Sequence, residues 1–379
     1  MGERNAWVEE LNVENFLSLE NVNIKLGKLT VLVGLNASGK SNVVKALTLL
    51  NRLKKDSVID ICRSNFKMEK LEQLFHTLES NLKLGVHMKA GNKKLSYEIL
   101  IDSGGRIVKE IIMLGTNDLL TRDENGKVVY LTDQETKSVG SVGQTYSIFV
   151  SLPGDSHSLI RKMGDVLGNI CVYSFNPDEI KSTSNSGFNL ELERNGSNLA
   201  QVLHTLLSYD RKKFDAVQGV MRDLIPEIEE INVPPTEPGD KVYLAMRERW
   251  VSKPLKYANI ADGTLRILAF TSALYLGGTV IVFEEPENCV HPYLFETIID
   301  LCGKAPCQVI MTTHSPYLIN RLPPEDLRLV KKMKGDTTIK TVENKKKVKR
   351  MLEEGGLSLG EVWYSGELEE FHEQDSGSS

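Results

Sequence analysis

The sequence predicts an α/β fold: a mixed sheet with helices, built from both ends of the chain, with a β-rich and then helical lobe inserted between. Three observations predict it. The short apolar runs Leu29 to Val33, Thr279 to Phe283 and Gln308 to Thr312 have the length and β-branched content of strands buried on both faces. Directly after the first run and a glycine-rich turn, Val43, Ala46, Leu47, Leu50 and Leu53 recur at helical spacing. Between about Leu82 and Leu152 the pattern changes to short alternating segments broken by Gly, Asn and Asp turns, which reads as an antiparallel lobe.

In chain order, Trp7 to Val13 and Leu19 to Ile24 read as strands flanking Asn15-Phe16-Leu17-Ser18. The β-rich lobe is expected to use Leu82–Met88, Leu95–Ile101, Ile107–Leu114, Val128–Leu131 and Tyr146–Leu152. Asn176 to Gly187 is polar and reads as a loop. Asn195-Gly196-Ser197-Asn198 then supplies helix caps before Leu199, Val202, Leu203, Leu206 and Leu207. A second helix is expected from Arg211 to Ile225, stopping at Pro226. Leu265 to Leu276 is apolar on nearly all sides, so that helix should be buried. The expected division is residues 1–60 with 255–370 as a discontinuous α/β core, 61–254 as the inserted lobe and 371–379 as a flexible tail.

Composition sets outer bounds. No apolar stretch approaches the ~20 residues needed to span a bilayer, and Met1 to Glu10 carries three acids and no apolar core, so a cytoplasmic protein is expected without a membrane partner. The five cysteines (Cys62, Cys171, Cys289, Cys302 and Cys307) lack CxxC spacing, which argues for reduced thiols over a zinc site or disulfide framework. A net charge of −5 does not favour a dedicated nucleic-acid-binding domain, although a local basic groove would suffice. The basic runs Lys331, Lys332 and Lys334, and Lys345 to Arg350, read as solvated surface.

Three strand-end elements carry chemistry. Gly34-Leu35-Asn36-Ala37-Ser38-Gly39-Lys40-Ser41 matches GxxxxGK[ST] at every fixed position, between a strand and a helix, as a phosphate-binding loop requires. Gly34, Asn36, Ala37, Ser38, Gly39, Lys40, Ser41 and the following Asn42 are the candidate ATP contacts, with Lys40 reaching the β- and γ-phosphates and Ser41 on Mg²⁺. Val280 to Phe283 delivers Glu284 and Glu285: Glu284 would assist Mg²⁺, and Glu285 would polarise the attacking water. Val309 to Thr313 delivers His314, placed to donate to the γ-phosphate.

The order Asn15-Phe16, phosphate loop, Ala261-Asp262-Gly263-Thr264-Leu265-Arg266, Glu284 to Asn288, His291-Pro292 and Thr313 to Pro316 resembles the ABC-type ATPases related to RecF and SMC. Compact prokaryotic predicted AAA-family ATPases, cousins of the OLD-family ATPase domain, are closer still: Asn195 to Leu199 partly matches their Asp-Gly-x-Asn-Leu phrase, and Leu359 to Gly366 resembles their ending. The resemblance implies an ABC-type head and a composite site, in which Ala261, Asp262, Gly263 and Thr264 of one protomer close on the γ-phosphate held by another. ATP would then join a homodimer. Three positions depart from the family. Ala261 replaces a serine whose hydroxyl bond is worth roughly 1.5–3 kcal/mol. Glu284 replaces an aspartate, and Leu17 stands where relatives often carry arginine, so no phosphate role is given to it. Gln73 is one of five candidates, between Gln73 and Gln218, for a lobe-linking glutamine.

The segment between phosphate loop and signature holds no heptad pattern for a long-armed tether. Fewer than 70 residues follow His314, with no acid-rich Toprim segment among them. Two functions are therefore expected: an ATPase whose ATP-dependent dimerisation drives DNA repair or defence against foreign DNA, or a slow or non-hydrolysing ATP-dependent regulatory scaffold for a separate effector such as a nuclease or toxin. A GTPase is disfavoured by the lack of an Asn-Lys-x-Asp element, and a small-molecule kinase by the Glu285 and His314 pair.

Overall fold

The computed structural model describes residues 6–140, 142–288, 290–342, 348 and 356–366. The chain divides into two compact units, residues 1–171 with 326–342 and residues 172–325 with 343–379. The boundaries expected near residues 60 and 255 each fall inside a unit.

In the first unit, β1 (Ala6–Phe16) and β2 (Leu19–Lys25) form the expected N-terminal hairpin. β1 also pairs with β4 (Leu82–Ala90), with Val13 opposite Leu84, so the hairpin and the β-rich segment make one sheet. That sheet is antiparallel, in the order β2-β1-β4-β5-β6-β7-β8-β9, where β5 is Lys93–Ile101, β6 Ile107–Leu114, β7 Asn117–Arg122, β8 Val128–Leu131 and β9 Thr136–Val139. Alternation sets its inner face: Leu95, Tyr97, Ile99 and Ile101 of β5 are buried while the residues between them are not.

Two local expectations are corrected here. Strands β7 (Asn117–Arg122) and β9 (Thr136–Val139) lie outside the expected segments. Tyr146–Leu152 is not a strand. Ile148–Ser151 forms a 3₁₀ turn, because the Ser147 hydroxyl accepts the Phe149 amide at 3.3 Å and the Ile148 amide donates to Glu110 Oε2 at 3.0 Å. A buried carboxylate has taken the donor a strand ladder would use. A helix over Ser158–Gly168 was also not anticipated.

β3 (Leu29–Val33) is buried at every position, as a strand covered on both faces must be. It lies parallel to the strand Leu327–Met333, with Val33 opposite Leu329, and that strand pairs antiparallel with Asp336–Thr341. The combination of parallel and antiparallel pairs is the mixed sheet expected.

In the second unit, Val280–Glu284 and Gln308–Thr313 run parallel, Phe283 opposite Met311. The helix Asp262–Leu276 buries a run from Ile267 to Leu274, as its all-round apolar sequence requires. Helices Leu199–Tyr209 and Arg211–Leu224 form as expected. Asn198 does not cap the first with its side chain: its amide bonds Glu191 O at 2.8 Å and its carbonyl accepts the Glu193 amide at 2.8 Å. No helix among the described residues is long and apolar enough to cross a membrane. Cys62, Cys302 and Cys307 are buried, and burial pushes the Cys62 thiol up to about 12. Cys289, the cations of the Lys345 to Arg350 run and the tail 371–379 lie outside the described residues.

Candidate functional site

The phosphate-binding motif begins where β3 ends. Gly39 takes φ +108°, and Ala37 also adopts the left-handed region at +62°. A Cβ on Gly39 would lie 2.1 Å from Thr337 Oγ1, and one on Gly34 would lie 2.3 Å from Val330 O. The loop is therefore pressed against its own sheet where the motif demands glycine. Lys40 starts the helix Lys40–Arg52 and is 6% exposed, its ammonium donating to Gly34 O at 2.7 Å and Leu35 O at 2.9 Å. The buried Ser38 hydroxyl has no hydrogen-bond partner among the described residues, while Asn36, Ala37 and Ser41 are exposed. A loop with outward-facing small residues and a helix N-terminus behind it suits an anionic ligand.

Support for this loop comes from Thr337, Ser18 and Asn42, of which only Asn42 was expected at the site, as an ATP contact. Thr337 donates to Ser38 O at 3.1 Å and shares a 2.6 Å contact with the Ser18 hydroxyl. Asn42 Nδ2 donates to Ser18 Oγ at 2.7 Å, and the Asn42 amide donates to Gly39 O at 3.0 Å. Asn42 thus braces the loop from behind. The preceding phrase is a clamp: Asn15 and Leu17 take φ of +58° and +52°. The Asn15 side chain bonds the backbone of Thr77 and Ser80. Leu17 N donates to Leu74 O at 2.8 Å.

In the second unit, Glu285 sits just past its strand at φ +46°, unusual for a residue with a side chain. Its amide donates to Thr312 O at 3.1 Å. His314 Nδ1 lies 3.1 Å from Glu285 Oε1, and Asn288 Nδ2 donates to Oε2 at 3.0 Å. The carboxylate is held from both sides yet remains about one-third exposed. Beneath it, Glu287 accepts the Thr313 hydroxyl at 2.5 Å and the His314 amide at 3.4 Å. Burial pushes the Glu287 carboxyl above the usual range, against those hydrogen bonds. Glu287 thereby fixes the loop that presents His314.

Glu284 is not free: the Arg194 guanidinium pairs with its carboxylate. At the expected signature, Ala261 precedes the helix Asp262–Leu276 without a side-chain cap, and Asp262 pairs with Lys181 at 2.5 Å. Gly263 and Thr264 are half-buried on its first turn. The Leu359–Tyr364 helix opens with a Ser358–Glu361 capping box, and Gly360 N donates to Asn320 Oδ1 at 2.6 Å, just after the loop carrying His314. Gln73 is turned to Lys70 N at 3.5 Å, whereas buried Gln218 accepts the Ile231 amide at 2.8 Å.

A glycine cradle between buried strand and helix, with a buried lysine at the helix start, defines a P-loop ATPase. The family model described as "AAA domain, putative AbiEii toxin, Type IV TA system" matches residues 29–320, more than half of the chain, and the protein belongs to that family. The OLD nuclease of Thermus scotoductus is 24% identical over 359 residues, covering 88% of this chain and 63% of that protein. The chain thus spans less than two thirds of this relative's length. Among solved structures, an SMC head bound to the C-terminal winged-helix domain of ScpA is similar at a TM-score of 0.59 and 11% identity, over 90% of this chain and 99% of that one. An SMC head with an extended coiled coil, bound to the C-terminal domain of ScpA derived from Pyrococcus furiosus, follows at 0.55 and 12%, over 93% and 100%. The SMC-head likenesses bear out the α/β P-loop head fold, and the OLD nuclease match bears out the OLD relationship read from the motifs.

Proposed function

We propose that this protein is an ATPase whose ATP-dependent dimerisation drives a process on DNA. The reading is carried by Glu285, a carboxylate set in a left-handed backbone position and held by His314 and Asn288. Residues 34–41 bind the nucleotide, with the Lys40 ammonium neutralising β- and γ-phosphate charge and Asn42 bracing the loop. Ser41 and Glu284 would hold Mg²⁺, whose chemistry there would be to neutralise phosphate charge. Glu285 orients the attacking water and accepts its proton, and His314 donates toward the γ-phosphate. Residues 1–60 and 255–370 together supply this machinery. Ala261 to Thr264 at one helix N-terminus face the γ-phosphate bound by a second copy. The DNA-associated role is supported by the likeness to the OLD nuclease.

The decisive test is light scattering of Glu285→Gln with and without Mg·ATP. A monomer that becomes a dimer with ATP supports the reading; a mass unchanged by nucleotide removes ATP-driven dimerisation from it.

The scaffold reading has its own support in the Arg194–Glu284 pair, which engages the carboxylate assigned to Mg²⁺. Arg194 acts as a brake in both readings. Arg194→Ala is expected to lower the Mg²⁺ concentration giving half-maximal phosphate release by about threefold, the scale of a partly exposed ion pair. An unchanged Mg²⁺ titration would release Arg194 from that role.

A further inference from the structure

The second unit carries a hairpin that nothing above uses. Its strand Ala245–Glu248 pairs with Ile228–Asn232 on one side and with Leu255–Lys256 on the other. Between these strands, Arg249 to Pro254 forms a tip whose Trp250 is 81% exposed. From Arg249 to Ala261 the chain holds three cations, Arg249, Lys253 and Lys256, and no acid. Arg247 is paired with Glu230, but Arg249 and Lys253 have no ion pair among the described residues. Beside the tip lies a groove of about 530 Å³, lined among others by Val233, Pro234, Tyr243, Pro254 and Lys256. The Lys256 ammonium sits 5.7 Å from the Tyr243 ring centroid, and Tyr257 meets that ring edge-on.

An exposed tryptophan alone is unremarkable on a protein surface. Here it shares a short hairpin with unpaired cations and an aromatic groove already capped by a cation. Such a surface offers planar faces for stacking and positive charge for a phosphodiester backbone. A duplex keeps its base faces stacked and would leave Trp250 unused. We propose that the hairpin Ala245–Lys256 and its groove bind single-stranded nucleic acid, a base stacking on Trp250 and backbone phosphates meeting Arg249, Lys253 and Lys256. The proposal rests on the DNA-associated reading above and names the strand form and surface it lacks. It does not require turnover. The chain's net charge of −5 makes this a local attraction, and so a strongly salt-dependent one.

The test is fluorescence anisotropy of labelled oligothymidylate of about 20 nucleotides, against a duplex of equal length, without nucleotide. Wild type is compared with Trp250→Ala and with Arg249→Gln/Lys253→Gln, and thermal unfolding confirms that all three fold alike. Trp250→Ala is expected to weaken single-strand binding at least fivefold, the lower end of one lost stacking contact. The double variant should flatten the slope of log affinity against log salt by about 1.4, for two phosphate contacts. Single-strand binding unchanged in both variants overturns the hairpin assignment while leaving the DNA reading intact. Binding to neither oligonucleotide overturns both. Variant-sensitive binding of polyglutamate in preference to oligothymidylate would make the hairpin a docking site for an acidic protein, and the proposal would fall.

Discussion

Replacing Glu285 by glutamine is expected to lower ATP turnover by about 10²–10⁴-fold while leaving nucleotide affinity within about threefold. Glutamine has the size and shape of glutamate, and Glu285 lies just beyond its strand, clear of the core, so folding is not at stake. The change is electronic. The glutamate presents Oε1 toward His314 Nδ1 at 3.1 Å and Oε2 toward Asn288 Nδ2 at 3.0 Å. An amide can still accept the Asn288 hydrogen bond through its oxygen, but its nitrogen cannot accept a proton from water. Binding rests on different residues, the Gly34–Ser41 cradle and Lys40, which the substitution does not touch. Phosphate release under multiple turnover and nucleotide titration of the same preparation separate the two effects. Turnover within about threefold of wild type would remove Glu285 as the general base. A parallel loss of binding would instead show that its role is to shape the loop.

What the sequence disclosed follows the range over which each signal acts. The buried strand Leu29–Val33, the glycine loop and the helix after it are contiguous and could be read together, as could the helix Asp262–Leu276 from its all-round apolar run. Glu285 and His314 were legible because each follows an apolar strand, and parallel pairing of those strands places the two side chains together. Partners brought from far along the chain were not legible. Arg194 reaches Glu284 across 90 positions, and Lys181 reaches Asp262 across 81. Neither cation carries a local mark that distinguishes it from a solvated one. The same holds for Ser18 and Thr337, which brace the phosphate loop from 319 positions apart. Tyr146–Leu152 was misread because β-branched and aromatic residues there satisfy a strand pattern, while a distant carboxylate decides the backbone. That carboxylate is Glu110, and it sets the second large effect.

Glu110→Ala is expected to destabilise the fold by about 3–5 kcal/mol, a large share of the ~5–15 kcal/mol that holds a typical domain together. Glu110 of β6 and Arg122 of β7 are directly opposite one another in the sheet, and both side chains are fully buried. Their nearest charged atoms are 3.7 Å apart. Glu110 also accepts the Tyr97 hydroxyl at 2.9 Å, the Ser147 hydroxyl at 2.5 Å and the Ile148 amide at 3.0 Å. Arg122 donates to Tyr146 O at 2.6 Å and Gly143 O at 3.1 Å. Burial raises the Glu110 carboxyl above its usual range, against these hydrogen bonds and the Arg122 charge. Alanine removes the acceptor for three donors and leaves a guanidinium buried without its counter-charge, which costs far more than the pair contributes. It also frees the Ile148 amide, so hydrogen exchange there should rise more than at β4 or β5. The pair itself is the replaceable part. Glu110→Leu with Arg122→Met removes both charges while keeping volume, and should recover at least half of the lost stability in a denaturant titration. If the double variant is no more stable than Glu110→Ala, the cost lies in the untied segment 142–149 and not in the orphaned arginine.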